Sequence, residues 1–563
     1  MQHTHSLRPA TSLLATFALA SVCAAQGPLE RISVSNSGGA PNGDSTRGAI
    51  SADGRFVVFE SFASNLILDD TNSQSDIFVR DRLLQSTECV SRTPAGTVGA
   101  SASYAPRMSD DARYVVFLSD ASNLVAGDTN GSTDLFLRDR TTQTTKRISL
   151  FASGAQVAGG VFSHPAISGD GRLVVFVCEA NLATGALSGG GVWGYDTQSG
   201  ALELISAPQQ ALFFPGLASV SSDGRHVAYG ARPVVPGPGA DQIFVRDRVA
   251  GTTTLASVFS GGAAGNNDSR LPSISADGRH VAFWSLATND APAGSPVIPR
   301  VYVRDLVSGT TRLVSDSVAG SVGQNSSTPP VIAPDGRRVA FHSVGAGLVP
   351  GNPLGFADAL VRDLPTGALL SVATTSAGVH ANGTSRVTDF RADGTLVVFT
   401  SDAANLSVGD GNGKQDVFVK ELTPLIPVSY CTAQPNPFGC TAQLTSTGLA
   451  SASLPSPFTL LAQNLTNQRP ATLFYGFAPN ATPFAGGTLC VASPLFRTPV
   501  QSTGGSALGV DCSGLLTFNF NALIQSGAAP LLTPGAVVYA QASYAHGAGQ
   551  RVQSDALAFT ILP

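Results

Sequence analysis

The phrase Ser51-Ala-Asp53-Gly54-Arg55-Phe56-Val57-Val58-Phe59, followed by Asp76-Ile77-Phe78-Val79-Arg80-Asp81, returns along most of this 563-residue chain. Its Asp-Gly pair recurs every 53 to 59 residues, and Asp111-Ala112 replaces it once. The seven turn aspartates are Asp53, Asp111, Asp170, Asp223, Asp277, Asp335 and Asp393. A period of this size is the signature of a repeat architecture.

The sequence of each repeat predicts four short β-strands. In the fifth copy we expect strands over residues 272–275, 279–285, 301–304 and 311–315. Asp277-Gly278 between apolar runs is a strong hairpin signal, because glycine accepts a positive φ at no steric cost. Seven four-stranded units without helical periodicity predict an all-β, seven-bladed β-propeller. The alternative, a parallel β-helix, would need shorter rungs without an internal hairpin.

The seventh copy lacks its fourth strand, because Pro424 and Pro427 follow Asp416-Val-Phe-Val-Lys420. The N-terminal phrase Glu30-Arg-Ile-Ser-Val-Ser35 resembles the fourth-strand phrase Lys146-Arg-Ile-Ser149. We therefore predict that this N-terminal strand pairs into the last blade, with Ile32 and Val34 buried on one face. This pairing would close the ring and remove two open sheet edges.

The repeat phrases also resemble a known family. Ser275-Ala-Asp277-Gly278-Arg279-His-Val-Ala-Phe283, with Val301-Tyr-Val-Arg-Asp305 after it, is similar to the WD-like (PD40-type) repeat of TolB-type propellers. The resemblance spans roughly residues 27–422, and Ala333-Pro-Asp335-Gly336 matches the family phrase best. It implies a propeller fold. Family members scaffold protein partners in the cell envelope or accompany catalytic domains, so the resemblance implies no single activity.

A second domain is predicted after the repeats. Residues 424–429 are expected to be a linker after a propeller at 26–423, and residues 430–563 to form a β-sandwich-like domain. This part holds Cys431, Cys440, Cys490 and Cys512, whose clustering favours disulfides in an oxidising compartment. Of the three possible connectivities we prefer 431–440 with 490–512, and a zinc site is the alternative. Cys89 and Cys178 are expected to stay unpaired.

The N-terminus predicts export. His5 and Arg8 precede an apolar run at residues 13–20, and small residues follow up to Ala25. This pattern is typical of a signal peptide at residues 1–25. We therefore expect a secreted, periplasmic or extracellular protein, monomeric and without a transmembrane segment after cleavage. The net charge of −5 lacks the basic footprint that nucleic-acid binding needs, so no nucleic-acid partner is expected.

Three loops between second and third strands suggest a cation site. Their oxygen-bearing side chains recur at one spacing: Asp70, Asn72, Asp76; Asp128, Asn130, Asp134; Asp410, Asn412, Asp416. Oxygen ligands this close together suit calcium, the one cofactor that the sequence suggests. The alternative is ordinary turn chemistry, in which Asx side chains bind the backbone. The Asp-Gly and Arg-Asp phrases themselves are expected to be structural, because every blade shares them.

The inner strands carry a second candidate site. Four residues before each turn aspartate stand Ala49, Arg107, Ala166, Ser219, Ser273, Val331 and Asp389. Arg107 and Asp389 break this symmetry, and His164 lies two residues before Ala166. These three are candidates to line a ligand pocket near one channel mouth, and the alternatives are a mutual salt link or plain solvation.

Two function classes remain open. The first is a secreted, non-catalytic binding or scaffolding protein with protein or glycan partners. The second is a metal-assisted carbohydrate-active lyase or hydrolase with its site at the channel mouth. No G-x-S-x-G elbow marks an attached hydrolase domain. A histidine-lined or deeply acidic pocket would favour the enzyme.

Overall fold

A computed structural model describes residues 29–561 of the chain, apart from several short segments. Residues 1–28, with the predicted signal peptide, and 562–563 lie outside the described part. The internal segments that also lie outside it are 159–164, 207–209, 213–216, 234–238, 291–295, 317–328, 345–347, 349–355, 366, 368, 376–378, 423–427, 432, 448–449, 451–456, 485–486, 508, 534–535 and 546–550. Within the described residues, no helix is long and apolar enough to cross a membrane.

The repeats form antiparallel sheets whose strands are paired in chain order, which is the arrangement of a β-propeller. The sheets are numbered here by the repeat that forms them. Sheet 1 contains Ser45–Ile50, Phe56–Ser61, Asp76–Asp81 and Ser86–Cys89. Sheet 2 contains Ser103–Met108, Tyr114–Ser119, Asp134–Asp139 and Thr144–Arg147. Sheet 3 contains Ala166–Ile167, Leu173–Asn181, Ala186–Asp196 and Leu202–Leu204.

The next sheets repeat this order. Sheet 4 contains Ala218–Val220, His226–Pro233, Gln242–Asp247 and Thr252–Leu255, with Gln210–Leu212 as an extra strand. Sheet 5 contains Ser269–Ile274, His280–Ser285, Arg300–Asp305 and Thr310–Leu313, after a 3-10 turn at Ser260–Gly262. Sheet 6 contains Val331–Ile332, Arg338–Ser343, Asp358–Asp363 and Leu369–Ser371. Sheet 7 contains Ser385–Phe390, Leu396–Ser401, Asp416–Glu421 and the N-terminal Leu29–Arg31.

The N-terminal strand occupies the place that the sequence predicts. Leu29–Arg31 pairs antiparallel with Asp416–Glu421, and the Ile32 amide donates to the Val417 carbonyl at 2.8 Å. The Ser33 hydroxyl donates to the Asp416 carboxylate at 2.5 Å. Ile32 is fully buried, whereas Val34, for which we expected the same, is only partly buried. The first described residues thus complete the fourth position of sheet 7.

Apolar cores join each sheet to the next. Val58 of sheet 1, for example, is in the same buried cluster as Val115 and Phe117 of sheet 2. Similar clusters join the following pairs, and one joins sheet 7 to sheet 1 through Val398 and Phe59. Each sheet thus packs one face against the preceding sheet and the other face against the following one, so apolar side chains on both faces are buried.

The Ser-x-Asp-Gly-Arg sequence that recurs at most of the turns has a local physical cause. In sheet 1 the Ser51 hydroxyl donates to Asp53 at 2.6 Å and accepts from the Phe56 amide at 2.9 Å. Arg55 then reaches across to Asp81 at the end of the third strand, at 2.7 Å. The Arg55 side chain holds the pKa of the Asp81 carboxyl below its usual range. The regular acids therefore brace the hairpin, which is the structural role expected for them.

Residues 428–561 form further sheets. One contains Val428–Cys431, Arg551–Thr560, Val537–Ala545, Pro470–Gly476 and Phe496–Arg497, with Gln501–Ser502 also paired to Pro470–Gly476. A second contains Gln443–Thr447, Thr459–Leu465 and Gly514–Asn519, and a hairpin pairs Pro479–Phe484 with Gly487–Val491. A short α-helix, Phe520–Gln525, follows Asn519, whose side chain caps it. Leu460 and Leu473, from the two larger sheets, share one apolar core.

The disulfide connectivity that we preferred from the sequence is wrong. Cys440 is bonded to Cys512, 72 residues away, and not to Cys431. Cys440 precedes one strand of the three-stranded sheet and Cys512 precedes another, so sheet pairing brings together cysteines that are distant in sequence. Cys490 is disulfide-bonded as well, whereas the Cys431 side chain lies outside the described part. Cys89 and Cys178 are free and buried, as expected.

Candidate functional site

The first strands of all seven sheets border one cavity of about 520 Å³. Each of the seven positions counted from the turn aspartates lies on its wall: Ala49, Arg107, Ala166, Ser219, Ser273, Val331 and Asp389. Five of these side chains are small or aliphatic, and small residues there leave the space open. The sequence register therefore located the channel, and the two charged exceptions lie in it.

Arg107 presents a positive charge to this cavity. Its Nη1 donates to the Pro106 carbonyl at 2.9 Å, and the side chain is partly buried. Burial lowers the pKa of Arg107, and the nearby charge of Asp389 partly offsets that effect. Among the described residues, no carboxylate oxygen lies within 4.0 Å of a guanidinium nitrogen of Arg107. The guanidinium group therefore keeps donor capacity for a ligand.

Asp389 lies on the first strand of sheet 7, on the other side of Ala49. Its Oδ2 accepts the Ile50 amide at 2.9 Å and its Oδ1 accepts its neighbour's amide at Phe390, also at 2.9 Å. Burial raises the pKa of Asp389 to about 6, although these amides and Arg107 act in the opposite direction. The salt link that was the alternative for this pair does not form within 4.0 Å in the described structure.

His226, His280 and His342 lie away from this wall. His164, the third residue expected at the channel mouth, lies outside the described residues. His226 and His280 are partly buried at the start of second strands, with Nε2 3.6 Å from Asp247 and 3.8 Å from Asp305. His342 is buried, which lowers its pKa to about 4. None of these three borders the cavity.

Two of the three Asp-rich loops are contacted by an arginine of the fourth strand. In sheet 2, Arg147 Nη1 lies 2.8 Å from Asp128 and 3.3 Å from Asp134. In sheet 7, Arg31 Nη1 lies 3.7 Å from Asp410 and 3.6 Å from Asp416. In both sheets the two carboxylates converge on one positively charged nitrogen. The protein itself therefore balances the charge of these loops.

The side-chain oxygen of the asparagine in each loop accepts a hydrogen bond from a backbone amide. Asn72 Oδ1 accepts the Gln74 amide at 2.8 Å, and its Nδ2 donates to Asp76 at 2.7 Å and to the Gly99 carbonyl at 2.8 Å. Asn130 and Asn412 accept the amide two residues on in the same way. These are the Asx turns that we considered as the alternative. In this orientation the amide positions the second aspartate by donating to it.

The loop of sheet 1 differs from the other two. Asp70 and Asp76 are both buried there, and no arginine lies between them. Burial raises the pKa of Asp76 to about 7 and also raises the pKa of Asp70. The described residues contain no group of three or more His, Cys, Asp or Glu side chains arranged to hold a metal ion.

We did not predict from the sequence the two arginines that contact these loops. The phrases Lys146-Arg147 and Glu30-Arg31 were available, but we used them only as strand signals. Their alternation within the fourth strand, with Ile148 and Ile32 buried next to them, would have placed the guanidinium groups on the face opposite those side chains. Asp110 and Asp335 also border the cavity; Asp335 was considered only as a turn aspartate, and Asp110 was not singled out.

No protein-family model matches this chain, and no curated protein matches it in sequence. Solved structures similar to it include an oligogalacturonate lyase in complex with manganese, at 14% identity over 71% of this chain and 95% of that one, with a TM-score of 0.43. The β-propeller domain of the Trilobed protease from Pyrococcus furiosus matches at 15% identity over 68% and 96%, with a TM-score of 0.43. A putative TolB from Agrobacterium tumefaciens matches at 16% identity over 52% and 87%, with a TM-score of 0.32. Structures similar to this chain thus include β-propeller and TolB-like proteins.

Proposed function

We propose that this chain is an exported, non-catalytic binding or scaffolding protein. Its seven sheets are the blades of a closed propeller, and residues 430–563 form an attached β-sandwich-like domain. The cyclic series of apolar cores, including the one between sheets 7 and 1, supports the closed ring. The core shared by the two larger C-terminal sheets supports the sandwich. The N-terminal sequence pattern and the disulfide support the proposal of export.

The binding site in this proposal is the channel cavity. A volume of about 520 Å³ is within the range of ligand sites, and it suits one or two residues or sugar units of a larger partner. The observation that carries the proposal is Arg107, which faces this space and, within the described part of the chain, has one hydrogen bond, to its own neighbour, and no ion pair. A guanidinium group held in this way binds a carboxylate through two parallel hydrogen bonds.

The partner is accordingly a protein or glycan that inserts an acidic group. Asp389 has both oxygens engaged by backbone amides, so it shapes the wall next to Arg107 more than it attracts a cation. Asp110, at the turn end of the cavity, accepts the Ser222 hydroxyl at 2.8 Å. A carboxylate bound to Arg107 would serve as its counter-ion. Salt should lower the affinity of this interaction, since the site is partly open to water.

A paired ligand screen tests this function. The purified mature chain is applied to an array of acidic glycans, their neutral counterparts, and peptides with and without acidic side chains. We expect binding to acidic members of one class and loss of that binding when the carboxyl group is esterified. Equal binding of acidic and neutral members, or no binding to either class, would contradict the proposal.

One observation favours the enzymatic alternative. The raised pKa of Asp389, about 6, suits a group that transfers protons near neutral pH. Under this alternative, a metal-assisted lyase or hydrolase acts on a carbohydrate at the channel mouth. Release of reducing ends from acidic polysaccharides, abolished by Asp389→Asn, would support it over simple binding. Binding without turnover by the wild-type chain would exclude it for the ligand tested.

A further inference from the structure

Three sheets carry the same Asp-rich loop, but one of the three has a different residue at the fourth-strand position next to that loop. Cys89 of sheet 1 pairs in register with Phe78, just as Arg147 of sheet 2 pairs with Phe136 and Arg31 of sheet 7 pairs with Phe418. The loops themselves carry the same Asp-x-Asn-x3-Asp pattern. Sheet 1 therefore has the acid pair of the other two loops and a thiol where they have a guanidinium group.

Without this arginine, no cationic side chain among the described residues bridges the two buried carboxyl groups of sheet 1. Asp70 is 6% exposed, and neither of its oxygens accepts a hydrogen bond of acceptable geometry, although the Asn72 amide is close enough to favour its ionised form. Asp76 is fully buried; its oxygens accept from the Ser91 hydroxyl and the Asn72 amide group. Buried carboxylates are normally paired or bound to metals, because desolvation of an isolated charge is costly.

Nearby cations and donors do not replace that arginine. The charge of Arg92 acts on both carboxyl groups, but its Nη atoms bind Asp69, at 2.6 and 2.8 Å, and the Gly96 carbonyl. The Cys89 thiol lies 3.3 Å from the Ser91 hydroxyl and cannot carry a positive charge; burial raises its pKa to about 12, so it stays neutral. The point that Arg147 Nη1 occupies in sheet 2 has no cationic side chain in sheet 1 among the described residues.

We propose that Asp70 and Asp76 bind one calcium ion at the position that the arginine nitrogen takes in sheets 2 and 7. Both available carboxylates are hard oxygen donors, and Asp70 can offer two oxygens at once, which calcium accepts readily. Asn72 orients Asp76 by its hydrogen bond and is a positioning residue in this site. Loop carbonyls and water complete the six to eight oxygens that calcium requires. In the loops of Asp128 and Asp410, for which the sequence also suggested a cation site, an arginine nitrogen lies where the ion would bind.

The internal repeat supplies matched variants. Cys89→Arg installs in sheet 1 the arginine of its neighbours, and Arg147→Cys creates in sheet 2 the situation of sheet 1. Melting temperature and bound calcium are measured for the full mature chain, by thermal unfolding and equilibrium dialysis, in chelator and in millimolar calcium. A ligand that binds only the native state raises the melting temperature.

We expect the wild-type chain to bind about one calcium ion and to melt at higher temperature with calcium than with chelator. Cys89→Arg should bind none and should melt at one temperature under both conditions. Arg147→Cys should bind about two ions and should lose stability in chelator but recover it with calcium. If Cys89→Arg does not fold, Asp70→Asn replaces it, and should also abolish both calcium responses.

The contrary results are equally definite. Calcium binding that persists in Cys89→Arg or Asp70→Asn would place the ion elsewhere and overturn the proposal. So would a wild-type melting temperature that is the same with calcium and with chelator. A larger response to zinc or magnesium than to calcium would overturn the choice of ion.

Discussion

Arg107 and Asp389 occupy the same position of the first strand in sheets 2 and 7, and both border one cavity without forming an ion pair. Ala49 stands at that position in sheet 1, between them. Burial is the larger effect on both groups and raises the pKa of Asp389 and lowers the pKa of Arg107, while each charge partly offsets that effect on the other. This arrangement leaves the cavity with two separate charges that a polar ligand can meet.

The first prediction concerns pH. Burial raises the pKa of Asp389 from 3.8 to about 6, so the folded chain holds this proton more tightly than the unfolded chain does. The contribution of Asp389 to stability is therefore greatest below about pH 4 and is lost as the pH rises through about 6. Asp389→Asn removes this titration, so the variant should gain on the wild type, by on the order of 1 kcal/mol, between pH 4 and pH 7.5.

Chemical denaturation at both pH values measures this difference. Glu179→Gln, at an exposed position, is the control for loss of one carboxylate, and should follow the wild type at both values. A difference between Asp389→Asn and the wild type that is the same at pH 4 and pH 7.5 would show that Asp389 titrates normally.

The second prediction concerns closure of the ring. Ile32 is fully buried in the core between sheets 7 and 1, so Ile32→Ala should cost about 2 to 4 kcal/mol of unfolding free energy. Val408→Ala, at a fully exposed position of a sheet 7 loop, should change it by less than about 0.5 kcal/mol. Similar unfolding free energies for the two variants would indicate that the N-terminal strand does not close the ring.

The third prediction concerns the contact between neighbouring sheets. Gly278 has a φ of 73°, and a Cβ there would lie 2.2 Å from His226 Nδ1 in the preceding sheet. Gly251 has a similar φ of 68° but open space around it. Gly278→Ala and Gly251→Ala share the backbone strain, so Gly278→Ala should be less stable than Gly251→Ala by about 1 to 3 kcal/mol of overpacking. Equal melting temperatures would mean that His226 moves aside freely.

The repeat part was predictable from sequence because each element has a local signal. Asp277-Gly278 fixed a hairpin, and the register of its copies located both Arg107 and Asp389 on one wall. Glu30 and its neighbours could be assigned to sheet 7 because the repeat supplied six templates for a fourth strand. Where one repeat differs from another, as Cys89 does from Arg147, sequence spacing alone did not show what the side chain would meet.

The C-terminal part has no such internal template. Cys440 and Cys512 meet because Gln443–Thr447 and Gly514–Asn519 both pair with Thr459–Leu465, which is a long-range feature. Short loops between cysteines, which guided our choice, carry no information about that pairing. The run after Leu515 also reads as one strand, but the chain turns into a helix at Phe520.

The fourth prediction follows from this disulfide. Removal of the Cys440–Cys512 bond by paired Ser substitutions frees a 72-residue span and should destabilise the C-terminal part by about 4 kcal/mol. Non-reducing peptide mapping should recover the two cysteines in one linked peptide pair. Cys178→Ser, which alters a free cysteine of sheet 3, is the control for the C-terminal transition and should leave it in place. A linked Cys431–Cys440 peptide would contradict the connectivity.

The central claim is that the channel cavity binds an acidic group through Arg107. Its most direct test is a titration of wild type, Arg107→Ala and Arg386→Ala with the acidic ligand that the screen identifies. Arg386 also lies on a first strand but is exposed and away from the cavity wall. We predict that Arg107→Ala weakens binding at least about tenfold, the loss expected for a charge-assisted hydrogen bond, while Arg386→Ala binds like the wild type. Equal affinities for all three proteins would contradict the claim.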